Sequence, residues 1–162
     1  MNNEKIVGQI EKISNQLHLI IPEPWDRILL YSEVTEWSNR TFFYYFPHLN
    51  ESPIYSLDLE NMAICDEDEV NRQLHQLYED LRQLWNEFKN QKQQPWTNLT
   101  LQLISNGKFN IEYDYEDLSN EDSYKQQVIW EYEKLGKVPN ENRERDSTIM
   151  KEYTKASNSN DM

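Results

Sequence analysis

The stretch that decides the fold is PWTNLTLQLISNGKFNIEYDYED, residues 95–117. Apolar and polar residues alternate on both sides of the Asn-Gly pair near its centre. Successive side chains of a strand point to opposite faces of the sheet, so this alternation predicts a β-hairpin with one apolar and one polar face. The residues predicted to lie in the core are Leu99, Leu101, Leu103, Phe109 and Ile111.

The turn determines the register of this hairpin. A two-residue loop at residues 106–107 would set Leu103 opposite Asn110, whereas a three-residue loop at 105–107 sets Leu103 opposite Phe109. We favour the three-residue loop, because a slip of one residue would move a whole set of apolar side chains to the other face. The glycine of the loop is then predicted to take the left-handed position of a type I turn followed by a bulge.

The rest of the chain shows helical and strand periodicities on either side of this hairpin. Its longest apolar stripe at helical spacing follows Asp66 and Glu69, which stand at capping-box spacing. After the hairpin, Ser119 with Asp122 is predicted to cap a helix that Gly136 stops. The predicted helices cover about residues 3–20, 66–89, 119–135 and 142–155, and the predicted strands other than the hairpin cover 27–36, 41–46 and 54–59.

Strands joined by short turns pair in an antiparallel manner, and amphipathic helices bury their apolar stripes against such a sheet. We therefore predict an α+β fold, with an antiparallel sheet of four to five strands and helices packed on one face. The element order is helix, strands, helix, hairpin, helix. Residues 1–155 are expected to form a single domain, and residues 156–162 a disordered tail.

The charge balance is the strongest compositional feature. The 162 residues include 29 acidic and 16 basic side chains, a formal net charge of -13. This balance argues against direct binding of nucleic acid or of an anionic membrane, because both need cationic contacts. It suits a basic partner that is attracted by electrostatic steering, although many proteins of the cytosol are simply acidic.

Several classes of site are excluded by the residues themselves. Cys65 is the single cysteine, so neither an intrachain disulfide nor a cysteine metal cluster is possible. The three histidines are isolated, and three dispersed glycines do not make a phosphate loop. We expect no cofactor and no metal. The charged N-terminus does not resemble a signal peptide, and no apolar run approaches the length of a membrane span, so we expect a cytoplasmic protein.

A carboxylate cluster is the remaining candidate for catalysis. Asp114, Glu116 and Asp117 are followed closely by Glu121 and Asp122. Such carboxylates could bind Mg²⁺ or Ca²⁺, or supply an acid–base pair. However, the segment lacks the pattern of a calcium loop, and the helix dipole alone explains the last two residues. We therefore expect a protein that is not an enzyme, and we keep a metal-dependent enzyme as an alternative.

The polar side of the predicted sheet combines aromatic and acidic residues, which suits a protein interface that receives a basic partner. An ordinary solvated sheet face would show a similar pattern. The residues predicted to bind a partner are Tyr31, Glu33, Trp37, Glu112, Asp114, Glu116 and Asp117.

An ordered set of motifs runs from the first helix to about residue 141. The set comprises PEPW at 22–25, FFYYF at 42–46, a Leu-rich helix to Phe88, PWT at 95–97, YDY at 113–115, WEYEKLG at 130–136 and Pro139. In this order and spacing the chain resembles the YezG-like antitoxin, or immunity-protein, family. Residues 37–40 depart from the family pattern, because this turn lacks glycine.

The resemblance implies a cytoplasmic binding protein that neutralises a cognate toxin. In this family the toxin is often a nuclease domain carried on an LXG-type substrate of type VII secretion, and it is held inactive until export. The resemblance supplies no catalytic residues. An acidic secretion chaperone, which binds a toxin without inhibiting it, is the second alternative, and the oligomeric state is left open.

Overall fold

A computed structural model describes residues 3–62 and 64–136 of the chain. The chain forms two compact units, Met1–Glu116 and Asp117–Met162. The predicted helix at 142–155 and the predicted tail at 156–162 lie outside the described residues. In order, the elements are α1 (Asn3–Ile20), β1 (Trp25–Val34), β2 (Asn39–Pro47), β3 (Ile54–Tyr55), a 3-10 helix (Ser56–Asn61), α2 (Glu67–Asn90), β4 (Asn98–Ile104), β5 (Phe109–Asp114) and α3 (Ser123–Leu135).

The first unit contains a five-stranded sheet in the order β3-β2-β1-β4-β5. All four pairings are antiparallel. The predicted α+β fold is therefore confirmed. The third strand is shorter than predicted, because the chain enters the 3-10 helix after Tyr55. There the side-chain hydroxyl of Ser56 accepts a hydrogen bond from the Phe43 N–H at 3.1 Å, in place of a backbone partner.

The β4–β5 hairpin has the predicted register. Leu103 pairs with Phe109 across the three-residue loop. Gly107 has a φ of 93°, and its N–H donates to the Ile104 carbonyl at 2.9 Å. The prediction of Phe109 as a core residue is wrong, since its side chain is 41% exposed. Phe109 begins β5, the outer strand on this side of the sheet, so neighbouring strand residues cover it from one side only.

The core lies between the sheet and the pair α1 and α2. Both helices direct their apolar stripes at β1, β2 and β4, as the periodicity predicts. Burial of this apolar surface is the main stabilising contribution to the unit. The most deeply buried members are Ile13, Leu17, Ile28, Leu30, Phe43, Tyr45, Leu59, Leu77, Leu81, Leu84, Trp96, Leu99 and Leu101.

The helix ends follow ordinary capping chemistry. Asp66 caps α2 as predicted, and its side chain accepts hydrogen bonds from the N–H groups of Asp68 and Glu69. In the second unit, α3 is capped by Asp122 alone, so the predicted share of Ser119 in this cap is wrong. The Ser119 N–H instead donates to the Asp117 carboxylate at 2.9 Å. Within residues 3–62 and 64–136, no helix is long and apolar enough to cross a membrane.

Candidate functional site

The sheet brings four of the predicted binding residues to one face. Side chains alternate along a strand, so β1 residues next to the core-facing Ile28 and Leu30 point away from α1 and α2. Two rows of paired residues cross this second face from β1 through β4 to β5. One row contains Tyr31, Thr100 and Glu112, and the other contains Glu33, Asn98 and Asp114.

Tyr31 and Glu33 are coupled to each other. The Tyr31 hydroxyl donates a hydrogen bond to the Glu33 carboxylate, and Arg40 Nη1 lies 3.6 Å from Glu33 Oε1. Tyr31 is buried. Burial is the main cause that raises the pKa of the Tyr31 hydroxyl above its ordinary value, and the hydrogen bond to Glu33 is the second cause. The tyrosine is therefore neutral at physiological pH, and it orients the carboxylate of Glu33.

Asp114 is exposed at the end of β5, where the chain leaves the sheet. Its carboxylate accepts hydrogen bonds from the N–H groups of Tyr115 at 2.8 Å and Glu116 at 3.2 Å. The side-chain amide of Asn98 donates to the same carboxylate at 3.1 Å. The carboxylate of Asp114 is thus held in one orientation, and Glu112 and Glu116 are exposed on either side of it in the sequence.

Asp117 is the first residue of the second unit, and its side chain is exposed. The pKa of the Asp117 carboxyl group is lowered mainly by a hydrogen bond from the Ser119 backbone, and to a smaller extent by one from the Ser119 side chain. Asp117 therefore carries a full negative charge at physiological pH.

The metal-enzyme alternative gains no support from this geometry. Among the residues that the structure describes, no group of three or more His, Cys, Asp or Glu side chains could hold a metal ion. The carboxylates of Asp114 and Asp117 accept hydrogen bonds from nearby backbone N–H groups instead.

Trp37 lies in the loop at residues 35–38, which joins β1 to β2, and its side chain is 93% exposed. The loop is closed by a hydrogen bond from the Thr35 N–H to the Ser38 carbonyl at 2.9 Å. The Thr35 hydroxyl oxygen also accepts hydrogen bonds from the N–H groups of Trp37 at 3.2 Å and Ser38 at 3.0 Å. The exposed indole therefore stands on an ordered backbone.

Two cations of α2 hold this loop, and neither was among the predicted residues. Arg82 Nη1 donates to the Thr35 carbonyl at 3.0 Å, and Arg82 Nη2 donates to the Ser38 carbonyl at 2.9 Å. Lys89 donates a hydrogen bond to the Glu36 carboxylate. In the sequence, the lack of glycine in this turn is the local feature that indicates support of the loop by residues outside it.

The loop lies at the end of the sheet where β5 finishes. The Val34 N–H donates to the Thr97 carbonyl at 3.3 Å, and the Thr97 N–H donates to the Asp114 carbonyl at 2.8 Å. These two bonds join the start of the loop to the exit of β5. We call the exposed residues of this region the acidic end of the sheet, and they are Glu36, Trp37, Asp114 and Glu116.

Comparisons with known proteins give consistent matches along nearly the whole chain. The model of the family described as immunity protein YezG-like matches residues 8–149. Immunity protein YezG of Bacillus spizizenii strain W23 is 32% identical over 158 residues, which cover 96% of each chain. Immunity protein YezG of Bacillus subtilis strain 168 is 35% identical over 142 residues, covering 85% of this chain and 92% of that protein. The type VII secretion system protein EsaG of Staphylococcus aureus is 24% identical over 141 residues, covering 84% of this chain and 85% of that protein.

Proposed function

This chain belongs to the YezG-like immunity protein family, and on that premise we propose that it is an antitoxin that binds and neutralises a cognate toxin. The observation that carries the proposal is the match of the family model to residues 8–149. An immunity protein acts by occupying or distorting its toxin, so the proposed activity is stoichiometric binding and not catalysis. The predicted family resemblance is confirmed by the same match.

We further propose that the toxin is basic and that it is a nuclease domain. A nuclease needs cationic side chains to neutralise the phosphates of its substrate. A chain with a net charge of -13 competes for such a surface. Opposite charges also speed association, which an inhibitor of a toxic enzyme requires. The acidic end of the sheet, with Glu112 beside it, is the proposed contact surface. Asp117, which belongs to the second unit, is proposed separately as a contact residue.

We place the complex in the cytoplasm of the producing cell, before the toxin is exported. The Staphylococcus relative is named a type VII secretion system protein. That name supports a link to type VII secretion, and we propose that the toxin leaves the cell as a type VII substrate of the LXG type. In this proposal the antitoxin is bound until export separates the two proteins.

The test is a titration of the purified chain against the toxin encoded beside its gene. We expect nuclease activity to fall to zero at one antitoxin per toxin, or at another fixed low ratio. The association rate should decrease as salt is raised, because screening weakens steering between opposite charges. The absence of any complex would overturn the proposal, and a complex with a toxin of different chemistry would overturn its nuclease part.

A secretion chaperone is the second candidate, and the secretion-system name of the Staphylococcus relative is consistent with it. A chaperone would bind the toxin and leave its catalytic site open. The same titration separates the two candidates, since a chaperone gives a stable complex with unchanged nuclease activity.

A further inference from the structure

We propose that Trp37 is the residue that anchors this chain to its toxin, and that Arg82 positions the loop that presents it. The partner surface is an apolar pocket bordered by basic side chains. This inference rests on the proposed antitoxin function and adds the specificity-determining contact to it.

The exposure of Trp37 sets it apart from the other tryptophans. The chain has five, and Trp25, Trp85, Trp96 and Trp130 are each at most 8% exposed. Trp37 is 93% exposed. An indole is among the largest apolar side chains, and leaving it in water forgoes the stabilisation that its burial provides. The folded chain therefore gains little from this side chain, whereas a partner that buried it would gain much.

The loop around Trp37 is ordered before any partner arrives. Thr35 closes it from within, and Arg82 holds its two ends through their carbonyl groups. Binding through such a loop loses little conformational entropy, so most of the free energy of burying the indole contributes to affinity. Tryptophan is also enriched among the few interface residues that contribute most to binding.

The charges around Trp37 indicate the chemistry of the pocket that receives it. Three nearby cations have partners within the chain, because Arg82 contacts carbonyl oxygens, Lys89 contacts Glu36, and Arg40 lies beside Glu33. The exposed carboxylates of Asp114 and Glu116 lie at the same end of the sheet. An apolar anchor with an acidic border is complementary to an apolar pocket with a basic rim.

The first experiment measures binding of the full chain and its variants to a catalytically inactive form of the cognate toxin. We expect Trp37→Ala to raise Kd by about 30-fold or more, mainly through faster dissociation, and Trp37→Phe to have an intermediate effect. Leu49→Ala is the matched control, because Leu49 is 84% exposed. Leu49 follows β2 at the other end of the sheet, and we expect its Kd to stay within about twofold of the wild type.

The second experiment tests whether Arg82 acts through Trp37. Arg82→Met removes both hydrogen bonds to the loop, and Arg82→Lys keeps the charge but not the two-pronged geometry. We expect Arg82→Met to raise Kd by about fivefold to tenfold in the wild type and to have almost no further effect in the Trp37→Ala background. Arg82→Lys should recover only part of the affinity. Circular dichroism and thermal melting of each variant confirm that it is folded.

The outcomes separate this inference from the function on which it rests. If wild type neutralises the toxin and Trp37→Ala binds equally well, the anchor is overturned and the antitoxin function stands. If wild type does not bind, both fail. Equal losses from Arg82→Met with and without Trp37 would overturn the positioning role. If the free chain dimerises and Trp37→Ala abolishes the dimer without weakening toxin binding, the indole serves a second copy and the anchor is also overturned.

Discussion

Two hairpins of the sheet, β4–β5 and β1–β2, are built by different means. The β4–β5 hairpin turns through Asn106 and Gly107, so its geometry follows from residues within the loop itself. The β1–β2 hairpin turns without glycine, and Arg82 holds its loop from α2. The β4–β5 hairpin ends in an outer strand with exposed residues, whereas both strands of the β1–β2 hairpin are mostly buried. Local turn chemistry thus specifies one hairpin, and tertiary contacts specify the other.

The largest expected difference between the hairpins is in the cost of removing a phenyl ring. Phe43 in β2 is fully buried, so Phe43→Ala should lower the free energy of unfolding by about 3–5 kcal/mol. Phe109 in β5 is half-exposed, and Phe109→Ala should cost about 1 kcal/mol or less. Denaturant titrations with unchanged slopes measure both values. Equal losses would contradict the difference in burial between the two hairpins.

The tyrosines of both hairpins predict a loss of stability at alkaline pH. Burial raises the pKa of Tyr113 to about 12. Burial and a hydrogen bond to Glu23 raise the pKa of Tyr45 further above its ordinary value of 10.0. The folded state favours the neutral phenol. The contribution of each tyrosine to the free energy of unfolding is therefore complete below a pH of about 10, and it declines as the pH rises.

Each such tyrosine should lower the free energy of unfolding by about 1.4 kcal/mol per pH unit above pH of about 10. Tyr45→Phe should make this slope shallower by about 1.4 kcal/mol per pH unit throughout the alkaline range. Tyr113→Phe should do so only up to pH of about 12, where the folded tyrosine itself ionises. Denaturation at a series of pH values, with the tyrosinate absorbance followed in parallel, measures both slopes. Unchanged slopes in both variants would show that other groups control the alkaline transition.

Substitution of the turn glycine tests the local origin of the β4–β5 turn. Gly107 has a φ of 93°, and nothing lies within 4 Å of an added Cβ, so the cost of Gly107→Ala comes from the backbone alone. We expect a loss of about 1–2 kcal/mol in the free energy of unfolding. The reciprocal change in the other loop, Ser38→Gly, should cost about 0.5–1 kcal/mol through added flexibility and the loss of the hydrogen bond between the Ser38 and Thr35 hydroxyls. A larger loss for Ser38→Gly would reverse the assignment of the two turn types.

The smallest effects come from the side chains that cap the two loops. The Thr35 hydroxyl accepts hydrogen bonds from two backbone N–H groups, and Thr35→Val should cost about 1 kcal/mol. The Asn106 side chain accepts one, from the Lys108 N–H at 3.0 Å, and Asn106→Ala should cost about 0.5 kcal/mol. Thermal melting resolves this difference, and hydrogen exchange at Ser38 gives an independent measure of loop opening.

The same distinction explains how much of the fold could be predicted. The hairpin register, the stripe of α2 and the Asp66 cap each depend on residues close together in the sequence, and these predictions were confirmed. The predicted strand beyond Tyr55 was wrong because a side-chain contact to β2 replaces the ladder there. Phe109 has the correct period and register, but alternation alone does not show how far each residue of an outer strand is covered.

The candidate surface was predictable in part for the same reason. Alternation places Tyr31, Glu33, Glu112 and Asp114 on one face, and the sheet brings them there. It cannot show that Tyr31 is buried, because burial depends on residues distant in the sequence. The contacts from Arg82 span 47 and 44 residues. No local pattern encodes such a contact.

Arg82 contacts only main-chain oxygens of the loop, and every amino acid supplies one. The side chain at position 37 is therefore free to be exchanged while the hydrogen bonds from Arg82 and the loop geometry are retained, whereas Glu36 is held by Lys89. Such an arrangement suits an antitoxin whose toxin changes during evolution, because recognition can diverge without a loss of folding stability. For the engineer, residue 37 is the natural position at which to randomise this scaffold toward a new target.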